Sequence, residues 1–271
     1  MIELRFLFWN LNQKDLVEEI KNIVQLHAID VIILAETKFH QSKLLAALNE
    51  QDSLFFSNHP NSLCEKILIF TKFNYRFIKP VEEDNRMTFR RLTLPFLDFN
   101  LVAVHLPDKS HNSEDSLSEN ASELARIIRA IESRFDDKTV LIGDLNMNPF
   151  EKGIVKANGL NATMSSKLAE KETRTVDKRA YKFFYNPMWS LMGDVQNEVA
   201  GSYYYNNSEL LNYQWNVFDQ VLIRPSLIPH FDKTSIRFLS SDGAKSLITN
   251  YGIPNKNTFS DHLPLIFTLK F

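Results

Sequence analysis

Cysteine is nearly absent from this chain. Cys64 is the only one in 271 residues, which excludes a disulfide scaffold or a zinc site of several thiolates. It follows Asn61-Ser62-Leu63 in a loop-like setting with no base beside it, so it reads as an inert packing residue. Long hydrophobic runs are missing too. No stretch approaches the ~18 apolar residues of a membrane span. Glu3 and Arg5 interrupt the N-terminal apolar segment where a signal peptide needs an unbroken core. A soluble cytoplasmic protein, away from membranes, is the expectation. An excess of one charge sign is also lacking, since the net charge is −2. No global basic field draws in a polyanion, so any nucleic-acid footprint must be local. No internal repeat, linker or low-complexity stretch stands out. One domain over residues 1–271, working as a monomer, is the simplest organisation.

What is present suits packed sheets. Apolar residues make up 44% and the aromatics include 21 Phe, enough for large buried faces. Ile2–Trp9 is a short apolar run ending at polar Asn10-Leu11-Asn12, which predicts a buried strand and a loop. Leu16, Ile20, Ile23 and His27 recur at helical spacing, which predicts a helix over 13–27. Asp30–Ala35 reads as a central strand, and Leu44, Leu45 and Leu48 as a helix over 41–50. Residues 53–106 carry only short β-like runs: Leu54–Ser57, Lys66–Thr71, Arg76–Pro80, Thr88–Leu94 and Phe99–Leu106. A helix through Leu117, Ala121, Leu124, Ile128, Ile131 and Phe135 follows, with Ser116 and Glu119 spaced as a capping box. Strands are expected at Thr139–Ile142, Val217–Ile223, Ser235–Leu239 and Leu263–Leu269. Residues 150–215 form the irregular part. Charges of alternating sign over 167–182 predict a solvated loop or helix there. The aromatics Trp189 and Tyr203–Tyr205 read as partly core, with base stacking as the functional alternative.

Polar residues at the ends of apolar strands carry the chemical signal. Glu36 ends one strand, Asp144 ends another, Asp219 lies within a third, and Asp261-His262 open the last. A carboxylate there can face a cleft while its strand stays buried. Such oxygens suit Mg²⁺ or Mn²⁺ and leave histidines free to move protons or hold anions.

Five segments occur in order: Trp9-Asn10-Leu11-Asn12, Ala35-Glu36-Thr37-Lys38, Gly143-Asp144-Leu145-Asn146, Phe218-Asp219-Gln220-Val221 and Ser260-Asp261-His262-Leu263-Pro264. Together they resemble the endonuclease/exonuclease/phosphatase superfamily over residues 5–267. The resemblance implies a four-layer α/β/β/α sandwich of two mixed β-sheets flanked by helices. It implies one or two divalent metals, Mg²⁺ or Mn²⁺, held by Asn10, Glu36 and Asp261. By the same resemblance Asp144 orients or deprotonates the attacking water and Asn146 positions phosphate and nucleophile. His262 would contact the scissile phosphate, with Asp219 as its carboxylate partner. His105, in Ala103-Val104-His105-Leu106, matches a second histidine of the deoxyribonuclease, deadenylase and sphingomyelinase branches and leans away from abasic-site endonucleases. Trp215-Asn216-Val217-Phe218-Asp219 departs from the Trp-Cys-Asp-Arg-type segment of the inositol 5-phosphatases, which argues against inositol phosphates.

The expected activity is thus metal-dependent hydrolysis of a phosphodiester, with DNA or RNA as substrate. A phosphatase or phosphodiesterase on a small or lipid-like phosphate is the alternative. A silent binding module is the third reading, and the complete polar set argues against it. Asn12 is an open candidate for the site. His27, His40, His59, His111 and His230 have no such context and read as structural.

Overall fold

The computed structural model describes residues 2–50 and 55–271. The chain begins with β1 (Glu3–Asn10), α1 (Val17–Leu26), β2 (Val31–Ala35), α2 (Gln41–Leu48), β3 (Ser57–Asn58) and β4 (Ile67–Thr71). The meander follows as β5 (Ile78–Glu83), β6 (Met87–Thr93) and β7 (Asp98–His105), then α3 (Glu114–Glu132) and β8 (Thr139–Asp144). The irregular part holds α4 (Lys152–Val155), β9 (Ala162–Thr163), α5 (Ser166–Ala169), β10 (Thr173–Val176), β11 (Arg179–Lys182), β12 (Phe184–Tyr185), β13 (Tyr203–Tyr204) and β14 (Trp215–Asn216). β15 (Asp219–Ile223), β16 (Arg237–Phe238) and β17 (Leu265–Lys270) close the chain.

Two mixed sheets result. One has the order β16-β17-β1-β2-β4-β3 and the other β5-β6-β7-β8-β15-β12-β9. The period of two along a strand shows how they stack. In β7, Phe99, Leu101 and Ala103 join the core between the sheets, while Val102 and Val104 pack under α3. β8 and β15 alternate the same way, with Val140, Ile142, Val221 and Ile223 inward and Leu141 and Leu222 outward. Phe6 of β1 meets Phe99 edge-on at 6.5 Å and stacks on Phe267 of β17 at 4.6 Å, which joins the two inner faces. Ile20, Ile23 and Leu44 of α1 and α2 cover the other side of the first sheet. The layers therefore run helix, sheet, sheet, helix, as the resemblance implied.

Some boundaries differ for identifiable reasons. Leu54, the expected start of one strand, lies outside the described residues. Tyr75–Phe77 is a 3₁₀ turn rather than a strand, because the Asn74 side chain accepts the Arg76 N–H at 3.0 Å. α3 starts before the expected capping box. Ser113 is its cap, accepting from Ser116 N–H at 3.2 Å, and Glu119 pairs with Lys156 instead. The charged stretch over 167–182 includes a hairpin of β10 and β11, where a loop or helix was expected. Asp177 and Lys178 both take positive φ, the geometry of a two-residue hairpin turn. No helix of the described residues is long and apolar enough to cross a membrane.

Candidate active site

The parity that builds the core also aims the polar residues. His105, Asp144 and Asp219 continue the inward rows of β7, β8 and β15, and they are register partners: His105 beside Asp144, Asp144 beside Asp219. Asn10 continues the inward row of Phe6 and Phe8 at the end of β1, level with Ala35 just before Glu36. Because β17 runs antiparallel to β1, its start brings Asp261 and His262 to the same end. Six strand ends thus deliver their polar residues to one mouth of the inter-sheet core, a cavity of about 760 Å³. Asn10, Asn12, Glu36, His105, Asp144, Asn146, Asp261 and His262 all line it. Asp219 lies behind His262, fully buried.

Gly143 makes the central approach possible. Its φ is +154°, and a Cβ there would sit 1.9 Å from the Val104 carbonyl oxygen of the neighbouring strand. Glu36 holds φ +50° and Asn146 also +50°, a region that non-glycine residues seldom adopt. Strain of about 1–3 kcal/mol per residue of this kind persists only where surrounding bonds enforce it. At Asn146 those bonds are visible: its N–H donates to Asp144 Oδ1 at 2.9 Å and its side-chain amide donates to Leu106 O at 2.9 Å.

His262 and Asp219 form a buried pair, Nδ1 to Oδ2 2.8 Å. Burial opposes a charge on the imidazole, but Asp219, Asp144 and Asp261 outweigh it and raise the His262 pKa. Burial likewise raises Asp219, countered by the imidazolium it holds. The stable arrangement is imidazolium against carboxylate. With Nδ1 committed to Asp219, Nε2 remains as a donor in the cavity, 3.8 Å from Asp144 Oδ2. His105 Nε2 lies 3.3 Å from Glu36 Oε1 and 3.7 Å from Asp144 Oδ2. Asn10 Nδ2 bridges toward Asp144 Oδ2 at 3.0 Å and Glu36 Oε1 at 3.4 Å, while its Oδ1 accepts the Asn12 N–H.

Asp144, Asp219 and His262 offer three ligand atoms within 4.8 Å of one another. A cation there would have to displace the proton that joins His262 to Asp219. The other candidate set fits better. Asp261 Oδ1 is buried and has no hydrogen-bond partner among the described residues, and Glu36 and Asn10 add oxygens of the hard type that Mg²⁺ prefers. The Asn10 side-chain Oδ1 keeps a second lone pair beside the one given to the Asn12 N–H.

Several positioning residues escaped the sequence reading. Ser202 Oγ accepts from both Phe218 N–H and Asp219 N–H at 3.2 Å. Ser260 Oγ donates to the Asn10 backbone carbonyl at 2.6 Å and accepts from His262 N–H at 3.0 Å. Trp9 Nε1 donates to the His262 carbonyl at 2.9 Å. Tyr203, stacked on Phe218 at 5.3 Å, lies 4.7 Å from the His262 ring. Burial, then Asp261 and Asp144, push its hydroxyl up to about 12, so it stays neutral. Serine and tryptophan carry no signal at such separations, although Trp9 and Ser260 do stand within their motifs.

The profile of the Endonuclease/Exonuclease/phosphatase family matches residues 7–262. The chain therefore belongs to that family, whose members are metal-dependent hydrolases of phosphoester bonds. Solved structures agree on the fold. TDP2 from Caenorhabditis elegans, in truncated form, is 15% identical with a TM-score of 0.55, covering 100% of this chain and 98% of that one. The 3′ phosphatase NExo from Neisseria, bound to a product DNA hairpin, is 13% identical with a TM-score of 0.56, over 99% of this chain and 100% of that one. A family protein from Bacteroides thetaiotaomicron is 12% identical with a TM-score of 0.59, over 99% and 98%. No curated protein matches the chain by sequence.

Proposed function

We propose that this chain is a nuclease that hydrolyses phosphodiester bonds with an activated water and a divalent metal, working as a single-domain monomer in the cytoplasm. The observation that carries the reading is the convergence of Asp144, the His262–Asp219 pair, His105 and the unpartnered Asp261 oxygen in one cavity. Membership of the family supports the reaction class, and the DNA hairpin bound to the Neisseria relative supports a nucleic-acid substrate.

The residues divide the work by their geometry. Asp144 Oδ1 is committed to the Asn146 N–H, and Oδ2, which accepts from Asn10 Nδ2, keeps a lone pair to take a proton from water. Asn146 donates its amide hydrogen to Leu106 O, so its own Oδ1 can accept from the same water. His262, held by Asp219, presents Nε2–H to a non-bridging phosphate oxygen, where charge grows as the water attacks. His105 Nε2 is placed to supply a proton to the leaving oxygen. Asn10, Glu36 and Asp261 would hold Mg²⁺ or Mn²⁺, which when bound neutralises phosphate charge.

Purified protein with Mg²⁺ or Mn²⁺ should hydrolyse bis-p-nitrophenyl phosphate, and EDTA should stop it. Asp144→Ala and His262→Ala should each lower kcat by ~10²–10³. Absence of turnover on this diester, DNA and RNA, with no metal bound by calorimetry, would overturn the reading in favour of a silent binding module.

A further inference from the structure

The catalytic residues occupy only part of their cavity. Its outer part is built from the loop between β13 and β14, and that loop is made inside out. Its polar side chains brace it: Asn212 Nδ2 donates to Asn206 Oδ1 at 3.0 Å, and Asn207 and Asn212 accept backbone N–H groups of Glu209 and Gln214 at 3.1 and 2.8 Å. Its apolar side chains face outward. Tyr205 and Tyr213 are each 50% exposed and Leu211 is 64% exposed, and all three line the cavity that holds Asp144 and His262. Exposed apolar groups gathered at a concave site mark a surface meant for a ligand. Tyr213 is held edge-on against Phe150 at 5.5 Å, so its ring is set before a ligand arrives. β13 is bridged to His262 through Tyr203, which ties the loop to the reaction centre.

Free positive charge enters the same cavity from other elements. Arg86, in the β5–β6 turn, donates to the His105 carbonyl at 3.3 Å, and Lys66 stands just before β4. Among the described residues neither is within ion-pair distance of a carboxylate, whereas Lys109 is held by Glu151. The cavity thus joins three unlike surfaces: two free cations, a phosphoester centre and an aromatic rim. A ligand that complements all three carries several phosphates and a flat apolar group.

We infer that the substrate is a single-stranded polynucleotide, with one base against Tyr205 and Tyr213 and a neighbouring phosphate on Lys66 and Arg86. This rests on the nuclease reading above. A duplex hides the faces of its bases in its own stack, and only an unpaired base can present one to a tyrosine. The net charge of −2 fits the same choice, since a duplex binder leans on a broad basic footprint that this chain lacks.

Steady-state kinetics on a single-stranded oligonucleotide, the matching duplex and bis-p-nitrophenyl phosphate test this. The wild type should prefer the single strand at least tenfold in kcat/KM. The Tyr205→Ala/Tyr213→Ala variant should raise KM for the single strand at least tenfold while kcat stays within threefold. Arg86→Ala should also raise that KM, and its dependence on salt should weaken. Tyr75→Ala, an exposed aromatic outside the cavity, should change nothing. Circular dichroism and melting would show that each variant is folded. Equal cleavage of duplex and single strand, or an unchanged KM in the folded double-tyrosine variant, overturns the inference while turnover of the small diester leaves the nuclease chemistry standing. Preferential cleavage of a choline phosphodiester in phospholipid vesicles, lost in a variant that combines Leu211→Asp with Leu210→Asp at its fully exposed neighbour, overturns it in favour of a lipid substrate. Failure on the small diester and on both polynucleotides, with no metal bound, removes the nuclease reading and this inference with it.

Discussion

His262 and His59 are both buried histidines, and their neighbours give them opposite charge states. His262 faces Asp219, Asp144 and Asp261 and keeps its proton. His59 donates to Thr71 Oγ1 at 2.6 Å, while that hydroxyl donates onward to Phe73 O. Burial, helped by Arg90, lowers the His59 pKa from 6.5 to about 4. In the unfolded chain it would take a proton near its ordinary value. The unfolded state therefore binds more protons between those pH values, so the stability that neutral His59 contributes is present above 6.5 and is lost as pH falls toward 4. At pH 4.5 the loss should be about 2–3 kcal/mol, at 1.36 kcal/mol per unit. Urea unfolding at pH 7 and pH 4.5 checks this: His59→Asn should lose less stability between the two pH values than the wild type. Equal losses would mean that His59 takes its proton in the folded state as readily as in the unfolded chain. At the site, Asp219→Asn keeps the shape of the side chain but removes the charge that holds the imidazolium, and should lower kcat by ~10²–10³. The sequence marks Asp219 because an aspartate inside an apolar strand needs a partner. It does not mark Ser202, whose hydroxyl holds the backbone of that strand from outside the motif.

Strand ends were legible because apolar runs stop at them, and β1, β2, β7 and β8 lie within a residue or two of where the pattern puts them. Parity was implicit in the same runs. Once Phe99, Leu101 and Ala103 face inward, His105 must follow. Contacts between distant elements left no such trace. Arg224, one residue after β15, sets its guanidinium 3.8 Å from the centre of the Phe184 ring and pairs with Glu132 at the end of α3, Nε to Oε1 2.8 Å. Both side chains are almost fully buried. Glu132→Ala strands the arginine charge and should destabilise by about 3–5 kcal/mol, whereas Glu132→Leu with Arg224→Met removes both charges and should recover most of the loss. Melting of the three proteins decides between a pairing effect and a packing effect. Gly143 is a stricter case, because its neighbour is backbone. Gly143→Ala drives a methyl into the Val104 carbonyl, so β7 and β8 must separate where His105 and Asp144 are paired. The variant should unfold at lower denaturant and, where folded, lose activity.

The whole molecule works as a clamp of two sheets whose shared core opens at one end into an acidic mouth. Six strand ends meet there, and the acidity that suits a cation also works against the fold. Asp144, Asp219, Asp261 and Glu36 gather around the His262 imidazolium, whose single charge does not balance theirs, while Lys66 and Arg86 line the same cavity. A bound divalent ion relieves that repulsion in the folded state alone. Binding of this kind stabilises by about 2.7 kcal/mol at a metal concentration one hundred times Kd. For a chain of this length that corresponds to a rise in Tm of about 5–10 °C. Melting with Mg²⁺ or Mn²⁺, against sodium chloride of equal ionic strength, should show the rise without reference to any substrate. The site of the ion follows from two variants. Asp261→Ala removes the unpartnered oxygen and should abolish the shift. Asp219→Asn touches only the histidine pair and should keep it. A shift lost in Asp219→Asn and kept in Asp261→Ala would move the ion to Asp144, Asp219 and His262, and His262 would then be a ligand rather than the donor to phosphate.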